Sequence, residues 1–236
     1  KKYKNLYNRV IMIYMLAVFD IERVLVDGEF LPEVAKYVGK EKEIEEITFK
    51  GLRGEIRWED GMRERVEMLL GLDMRYFDEV ARALPFMPNA RKTVSGLKSM
   101  GFTVVAITGG FQMLAERVRR ELGLDYVFSN TLFFDDLRLS GMRMDVTSDK
   151  AKVLAGIFDE ARRGECVAVV DGANDLTLFD IARLKIAFNA QEVVKRRADV
   201  IIDEKDLELV LDEIAKFAKH GVSRAGGSVG DIKNRQ

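Results

Sequence analysis

Short apolar runs, each followed at once by a polar residue, recur along the chain and predict the strands of a buried parallel sheet. The clearest runs cover residues 11–19, 102–107 and 166–170. The segments between them repeat apolar residues at helical spacing. Strands that alternate with helices are typical of a doubly wound α/β fold. The other predicted elements are helices over residues 90–100, 111–122, 150–162, 176–183 and 207–219, strands over 184–188 and 199–202, and a hairpin over 130–145.

One long helical block interrupts this alternation after the first strand. Residues 32–83 carry apolar and charged residues at helical spacing, broken by glycines. We interpret residues 29–87 as a helical cap inserted into a Rossmann-like core formed by residues 10–28 and 88–220. Residues 221–236 are rich in glycine, serine and charge, and this composition predicts a flexible tail.

The N-terminal segment has the outline of a signal peptide but lacks its end. A lysine-rich start precedes the apolar residues 10–19, yet Asp20 and Glu22 follow with no small-residue cleavage site. The apolar run is also too short to span a bilayer. We therefore predict a cytoplasmic protein that has no membrane partner and buries this run as a strand.

Composition excludes several classes of function. The chain has 38 Lys and Arg residues against 39 Asp and Glu residues, a net charge of −1, so it lacks the overall positive field that favours nucleic acid binding. A single cysteine, Cys166, excludes an internal disulfide and a cysteine-rich zinc site. A single histidine, His220, argues against a histidine-based metal site or triad. Catalysis must therefore depend on carboxylates, lysine, arginine and hydroxyl groups.

Three predicted strands end in polar residues that would meet at one edge of the sheet, namely Asp20, Thr108 and Asp171. Two carboxylates at such an edge repel each other unless a cation lies between them. Oxygen ligands without histidine or cysteine favour Mg²⁺. Asp175 is expected to orient the same cation or a water bound to it, although an acid at this place also serves as a helix cap. Asn174 is open to the same two interpretations.

Thr108, Gly109 and Gly110 form a candidate anion cradle between a predicted strand and a predicted helix. Glycines let backbone N–H groups approach an anion, although Gly-Gly pairs also serve ordinary turns. Lys150 starts another predicted helix and could neutralise a phosphate, whereas a lone lysine is more often exposed. Together with Mg²⁺ and a nucleophilic Asp20, these residues suggest phosphoryl transfer through an aspartyl-phosphate.

Three segments carry a resemblance to a known family. They are VAVVDGANDLTLF at residues 167–179, AITGGF at residues 106–111 and AVFDIERVLVDGEF at residues 17–30. They resemble motifs of the haloacid dehalogenase superfamily and, within it, of the phosphoserine phosphatases with a helical cap, over about residues 14–215. The resemblance implies a Mg²⁺-dependent phosphatase that hydrolyses O-phospho-L-serine in serine biosynthesis, with Asp20 as its nucleophile.

The resemblance also implies roles for individual residues. Glu22 would be the general acid and base, and its backbone carbonyl would join Asp20, Asp171 and Asp175 as metal ligands. In the cap, Glu29 would bind the ammonium group of the substrate. The substrate phosphate would be bound by Thr108, Gly109, Lys150 and Asn174.

Arg65 of the cap would bind the substrate carboxylate, because a planar guanidinium suits bidentate binding. It follows Trp58, which resembles the aromatic residue of the family's cap. Arg63 is a close competitor for this role, and on a charged helix either arginine could simply face solvent.

The first motif departs from the family pattern D-x-D-x-T. Glu22 replaces the second Asp, Val24 replaces the Thr, and Val170 replaces the glycine that usually precedes the last-motif Asp. Glutamate can still transfer protons, but its reach differs. A similar Asp-x-Glu-x-Val pattern occurs in a branch of the family that includes a phosphoserine–homoserine phosphotransferase.

Several functions therefore stay open beside phosphoserine hydrolysis. The substrate could be another small phosphomonoester, or the phosphate could pass to an alcohol such as homoserine. A degenerate site could also bind a phosphorylated ligand without turnover. A receiver-like signalling domain is disfavoured because receivers lack such a cap. The sequence does not indicate the oligomeric state.

Overall fold

The computed structural model describes residues 15–225, and a seven-stranded sheet forms its centre. The strands are β1 (Leu16–Phe19), β2 (Thr103–Phe111), β3 (Tyr126–Asp135), β4 (Arg138–Arg143), β5 (Cys166–Val170), β6 (Ala182–Phe188) and β7 (Val200–Ile202). Their order across the sheet is β4-β3-β2-β1-β5-β6-β7, and β4 pairs antiparallel with β3 while all other neighbours are parallel.

Helices cover both faces of this sheet. They are α1 (Phe30–Ala35), α2 (Glu41–Arg53), α3 (Trp58–Glu67), α4 (Met74–Ala83), α5 (Ala90–Ser99), α6 (Gln112–Leu122), α7 (Lys150–Ala155), α8 (Asp159–Arg162), α9 (Glu192–Lys195) and α10 (Leu207–Ala225). Two short 3₁₀ helices cover Lys36–Val38 and Ala173–Asp180. Helices α1 to α4 all follow β1 and precede α5, so the predicted helical block is present.

The central strand β1 shows why both faces must be covered. Its side chains alternate between two hydrophobic cores, with Ala17 and Phe19 in the larger and Leu16 and Val18 in the smaller. All four are buried. A strand buried on both faces is the hallmark of the doubly wound architecture, and the predicted fold class is confirmed.

Strand register brings the predicted strand ends to one edge. Phe19 pairs with Ala106 of β2 on one side and with Val169 of β5 on the other. Asp20 therefore follows β1 one residue short of the level of Thr108, inside β2, and of Asp171, directly after β5. This edge is the carboxyl end of the parallel sheet, where ligands bind in such folds.

Two predicted helices are wrong in form. The helix predicted over 150–162 is divided, because Gly156 ends α7 and Phe158 adopts extended backbone before α8. The helix predicted over 176–183 is instead the 3₁₀ helix Ala173–Asp180. Strand β6 then starts at Ala182, before the predicted position, because it pairs in parallel with β5. Sheet pairing here outweighs local helical preference.

The two ends of the chain differ partly from the prediction. Strand β1 starts at Leu16, and residues 11–14 of the predicted strand lie outside the described residues. Helix α10 continues to Ala225, so it takes up the start of the predicted tail, and residues 226–236 lie outside the described residues. No helix within the described range is long and apolar enough to cross a membrane.

Candidate active site

Three carboxylates converge at the carboxyl edge of the sheet. Asp20 follows β1, Asp171 follows β5, and Asp175 lies in the 3₁₀ helix that comes next. All three are buried, and one oxygen of each lies within 4.8 Å of the others. The predicted convergence of strand ends thus produces a compact acidic cluster, which is unfavourable without a positive partner.

Lys150 supplies one positive charge to this cluster. It is fully buried, and its Nζ lies 2.8 Å from Asp20 Oδ1 and forms an ion pair with Asp175. It also donates to the carbonyl of Ile107 at 3.1 Å. Burial alone would lower the pKa of Lys150, but the charges of Asp175 and Asp20 outweigh it and raise the pKa. The lysine is therefore a fixed cation that holds the Asp20 carboxylate in one orientation.

The remaining carboxylates lack enough positive charge. Burial, with the charges of Asp20 and Asp175, raises the pKa of Asp171 well above its ordinary value despite Arg23. Burial raises the pKa of Asp175 to about 7, although Lys150 acts in the opposite direction. In addition, Asp171 Oδ1 is buried without a hydrogen-bond partner. A hard divalent cation fits this all-oxygen set, because it would satisfy that atom and relieve the repulsion.

Glu22 lies beside the cluster and is oriented by the start of helix α1. Its Oε1 accepts a hydrogen bond of 2.7 Å from the backbone N–H of Phe30. Its Oε2 lies against Gly110, where a Cβ would clash with it. Burial raises the pKa of Glu22 to about 7, the Phe30 N–H lowers it, and the charge of Asp20 raises it. Near neutral pH this carboxyl can therefore hold a proton and release it, as a general acid and base requires.

The segment Thr108–Gly110 belongs to β2 rather than to a helix terminus. The predicted helix over 111–122 starts at Gln112, and the pairing of β2 with β3 is interrupted between Ile107 and Phe111. This irregularity leaves the segment unpaired with β3, and all three of its residues are buried directly before the first turn of α6. Its glycines have a second use that sequence reasoning missed, because they make room for Glu22 and Trp58.

Asn130 holds this segment in place and was not foreseen. It is fully buried on β3, and its Nδ2 donates to the carbonyl of Gly109 at 2.8 Å. Its Oδ1 accepts from the backbone N–H groups of Asp145 and Val146 at 2.8 and 2.7 Å. Its neighbours Ser129 and Thr131 are also polar, so the sequence of β3 did not single Asn130 out.

The helical block supplies Arg65 and Trp58 from α3. Arg65 is 2% exposed, donates to the carbonyl of Gly61 at 3.1 Å and to Thr48 Oγ1 at 2.8 Å, and lies over the Trp58 ring at 4.6 Å. Arg63 instead faces solvent and pairs with Asp60 at 3.3 Å. The geometry therefore favours Arg65 over Arg63 as a ligand-binding arginine.

Glu29 precedes α1 and lies near the carboxylate cluster, since Arg23 Nε is 3.9 Å from Glu29 Oε1 and 2.9 Å from Asp171 Oδ2. Burial, then the charges of Glu22 and Asp171, raise its pKa well above the ordinary value, while Arg23 and Arg65 lower it. Its Oε1 is buried without a hydrogen-bond partner. This carboxyl is suited to a cationic group of a ligand.

Arg23, inside the first motif, is a further site residue that sequence reasoning missed. Its Nε donates to Asp171 Oδ2 at 2.9 Å and lies 3.9 Å from Glu29 Oε1. Its guanidinium lies 5.3 Å from the ring centre of Phe49 on α2. The backbone of Arg23 is left-handed, with φ of 62°, and no sequence pattern predicted that conformation.

A second link joins the helical block to the loop before Lys150. Glu59 of α3 accepts hydrogen bonds from the N–H and the Oγ of Ser148 at 2.8 and 2.7 Å. Burial alone would raise the pKa of Glu59, but these bonds lower it. A cleft of about 460 Å³ opens beside this link and is lined by Gly51, Trp58 and Asn174 among others.

The buried polar atoms without hydrogen-bond partners indicate which chemical groups of a ligand this site could bind. Among residues 15–225, the buried side-chain polar atoms without a partner are Glu29 Oε1, Trp58 Nε1, Asp171 Oδ1 and Asn174 Oδ1. All belong to this site, and unpaired buried polar atoms are rare in folded proteins. Three are acceptors and one is a donor, so the site can accept a cationic group or a metal ion together with an anionic group. Arg63 is the single predicted candidate that the structure leaves outside.

The sequence of the chain is similar to a family model and to curated proteins. The family model of the haloacid dehalogenase-like hydrolases matches residues 14–179. A phosphoserine phosphatase of Methanocaldococcus jannaschii is 34% identical over 209 residues, which cover 86% of this chain and 97% of that protein. A phosphoserine phosphatase of Archaeoglobus fulgidus is 37% identical over 81% of this chain and 57% of its own length.

A solved structure agrees with these relatives. It is described as a phospho-aspartyl intermediate analogue of phosphoserine phosphatase. It superposes with a TM-score of 0.79 at 32% identity and covers 86% of this chain and 98% of its own.

Proposed function

The chain belongs to the haloacid dehalogenase-like hydrolases, and on that premise we propose that it is a phosphatase that hydrolyses O-phospho-L-serine to L-serine and phosphate. The observation that carries the proposal is the setting of Asp20. Its carboxylate is held by Lys150 at the carboxyl edge of the sheet, within 4.8 Å of two further carboxylates. Such a carboxylate can attack phosphorus and form an aspartyl-phosphate, provided that positive charge offsets the repulsion.

The acidic cluster would hold Mg²⁺ through Asp20, Asp171, Asp175 and the backbone carbonyl of Glu22. When bound, the ion supplies positive charge that reduces the repulsion between Asp20 and a phosphate. The chain's own part is to fix the ligands, and Arg23 and Lys150 each hold one of them. The unpaired Oδ1 of Asp171 supports this assignment.

Proton transfer falls to Glu22 in this proposal. Its Oε1 is engaged by the Phe30 N–H, which leaves Oε2, beside Gly110, to donate a proton to the leaving serine oxygen. The carboxylate that results can take a proton from the water that attacks the aspartyl-phosphate. Thr108, Gly109, Lys150 and Asn174 would surround the phosphoryl group.

The helical block would select the amino acid part of the substrate. Glu29 offers an unpaired carboxyl oxygen to the ammonium group, and Arg65 offers a buried guanidinium to the carboxylate. These two groups influence each other's pKa values, which indicates that they are close. A zwitterionic phosphomonoester matches this pair better than a substrate with one charged end.

The direct test is phosphate release from a panel of phosphomonoesters in Mg²⁺ and then in EDTA. We expect O-phospho-L-serine to be hydrolysed fastest and EDTA to stop the reaction. Preference for another ester, or indifference to EDTA, would contradict the proposal. Because Glu22 is longer than the family's usual acid, homoserine should be added as well, and formation of phosphohomoserine would identify a phosphotransferase instead.

Replacing Arg65 tests the selection of the substrate. Arg65→Ala removes the partner of a buried carboxylate, which costs about 2–5 kcal/mol, or about 30- to 4,000-fold in kcat/KM. We expect that loss for phosphoserine and a much smaller one for p-nitrophenyl phosphate, which has no carboxylate. Arg63→Ala is the matched control and should change neither rate. Equal losses on both substrates, or recovery of selectivity together with thermal stability in a repacked variant that lacks Arg65, would place Arg65 in the fold rather than the site.

Metal-free protein should lose stability as the pH rises. Glu22 and Asp175, with ordinary pKa values of 4.5 and 3.8, titrate near 7 in the folded chain, so between these values the folded state binds more protons than the unfolded state. Stability must then fall as the pH rises from about 5 to 7. We expect the Tm in EDTA to follow this course and Mg²⁺ to raise the Tm most at the upper end. Asp171→Asn should flatten the metal response, and an unchanged response would contradict the assigned ligand set.

A further inference from the structure

Trp58 is the one donor among the unpaired buried polar atoms of the described residues, and its position calls for an acceptor. The residue is 7% exposed, and its Nε1 has no hydrogen-bond partner. It is the first residue of α3 and lines the cleft beside the site. A buried indole N–H normally finds a partner, because leaving it unpaired costs free energy.

The indole is held in one orientation by three contacts. Its six-membered ring packs on Gly51 of α2, where a Cβ would lie 2.9 Å from Cε3. Its opposite edge packs on Gly109 of β2, where a Cβ would clash with Nε1 and lie 2.9 Å from Cε2. Arg65 covers the ring face at 4.6 Å. Both glycines thus make room for this ring, and the N–H edge faces the strand rather than the helices.

The N–H edge meets the strand at the segment that would surround a phosphoryl group. Gly109 lies between Thr108 and Gly110, two residues after Ile107, whose carbonyl accepts a hydrogen bond from the same Lys150 that holds Asp20. The segment is released from pairing with β3 by the irregularity between Ile107 and Phe111. An oxygen of a phosphoryl group on Asp20 would therefore approach both this segment and the indole edge.

We propose that Trp58 Nε1 donates a hydrogen bond to a phosphoryl oxygen of the bound substrate, so that the helical block contributes to phosphate recognition as well as to selection of the amino acid part. The inference rests on the proposed function for the identity of the ligand. A phenylalanine would keep an aromatic ring between the two glycines but could not make this bond. Trp58 is therefore a specificity-determining residue, and its effect on phosphate binding can be measured separately from its effect on packing.

The test compares Trp58→Phe with the parent in binding rather than in turnover. With Mg²⁺ present, calorimetry measures the affinity for inorganic phosphate and for L-serine. A hydrogen bond to a charged group is expected to be worth about ten- to a hundredfold in affinity. We expect Trp58→Phe to weaken phosphate binding by that factor and to leave L-serine binding unchanged. Trp58→Leu, which also removes the ring over Arg65, should weaken both.

The sequence provides an independent readout, since Trp58 is the chain's single tryptophan. Intrinsic tryptophan fluorescence of the parent should change on addition of inorganic phosphate even when saturating L-serine is already present, which controls for any change that reaches the ring through Arg65. Parent-like phosphate affinity in Trp58→Phe would overturn the inference, and so would a loss confined to L-serine. If the parent hydrolyses no phosphomonoester but binds phosphate through Trp58, the proposed function fails while this inference stands.

Discussion

Asp20→Asn is expected to abolish turnover, with a loss of at least about 10⁴-fold in kcat for phosphoserine. An amide cannot attack phosphorus to form the covalent intermediate. The change is otherwise small, because the Asn oxygen can still accept the hydrogen bond from Lys150 that Asp20 Oδ1 accepts at 2.8 Å. Phosphate release measures the loss of turnover, and mass spectrometry of acid-quenched protein measures the covalent intermediate. The parent should carry a phosphoryl group on the peptide that contains Asp20, and the variant should carry none.

The control is the same chemical change at an exposed aspartate. Asp180, at the end of the 3₁₀ helix Ala173–Asp180, pairs with Arg197 at the surface at 2.7 Å. Asp180→Asn should retain parental activity. Thermal unfolding of both variants shows whether they are folded. Substantial activity of a folded Asp20→Asn protein would assign the nucleophile to another group and would remove the basis of the proposed mechanism.

The general position of this site could be predicted because it depends on regular features. Apolar runs ending in Asp20, Thr108 and Asp171 predicted strand ends, and parallel strands bring their carboxyl ends to one edge whatever the details of packing. The buried cation Lys150 and the acid Asp175 followed from motifs rather than from pattern alone. Hydrophobic periodicity likewise predicted the succession of strands and helices along the chain. The continuous apolar run of β1 indicated a strand that is buried on both faces.

The residues that were missed act through tertiary contacts. Arg23 reaches Asp171, far away along the sequence, from a left-handed backbone that only the folded chain imposes. Glu59 meets Ser148 across 89 residues and Asn130 meets Gly109 across 21 residues. Local sequence carries no signal for such pairings, because two of them depend on how neighbouring strands align in the sheet and the third on how the helical block lies against it.

The conformation of the segment Thr108–Gly110 was also not predictable from the local sequence. A strand-to-helix turn was predicted, since glycines commonly end strands. In the structure, β2 continues to Phe111, and an interruption in its pairing with β3 frees the segment instead. The predicted residues lie at the site, and the two glycines additionally leave the space that Glu22 and Trp58 occupy, which the sequence did not predict.

Glu22→Gln is expected to slow phosphoserine turnover by about 10²–10⁴-fold. Glutamine keeps the shape and can still accept the 2.7 Å hydrogen bond from Phe30, so helix α1 should keep its start. The amide can neither protonate the serine oxygen nor take a proton from water. Both halves of the reaction should therefore suffer when the leaving group is an alkoxide. Steady-state kinetics with phosphoserine measures the combined loss.

A good leaving group separates the two halves. p-Nitrophenolate needs little protonation, so Glu22→Gln should still form the aspartyl-phosphate from p-nitrophenyl phosphate, whereas its hydrolysis should remain slow. We expect a burst of p-nitrophenolate followed by a slow steady rate, with phospho-enzyme detectable on acid quenching. Asp20→Asn is the matched control, because it lacks the nucleophile and should show neither burst nor phospho-enzyme. If Glu22→Gln hydrolyses phosphoserine at the parental rate, another group moves the proton, and the burial that raises the pKa of Glu22 to about 7 serves the fold rather than the reaction.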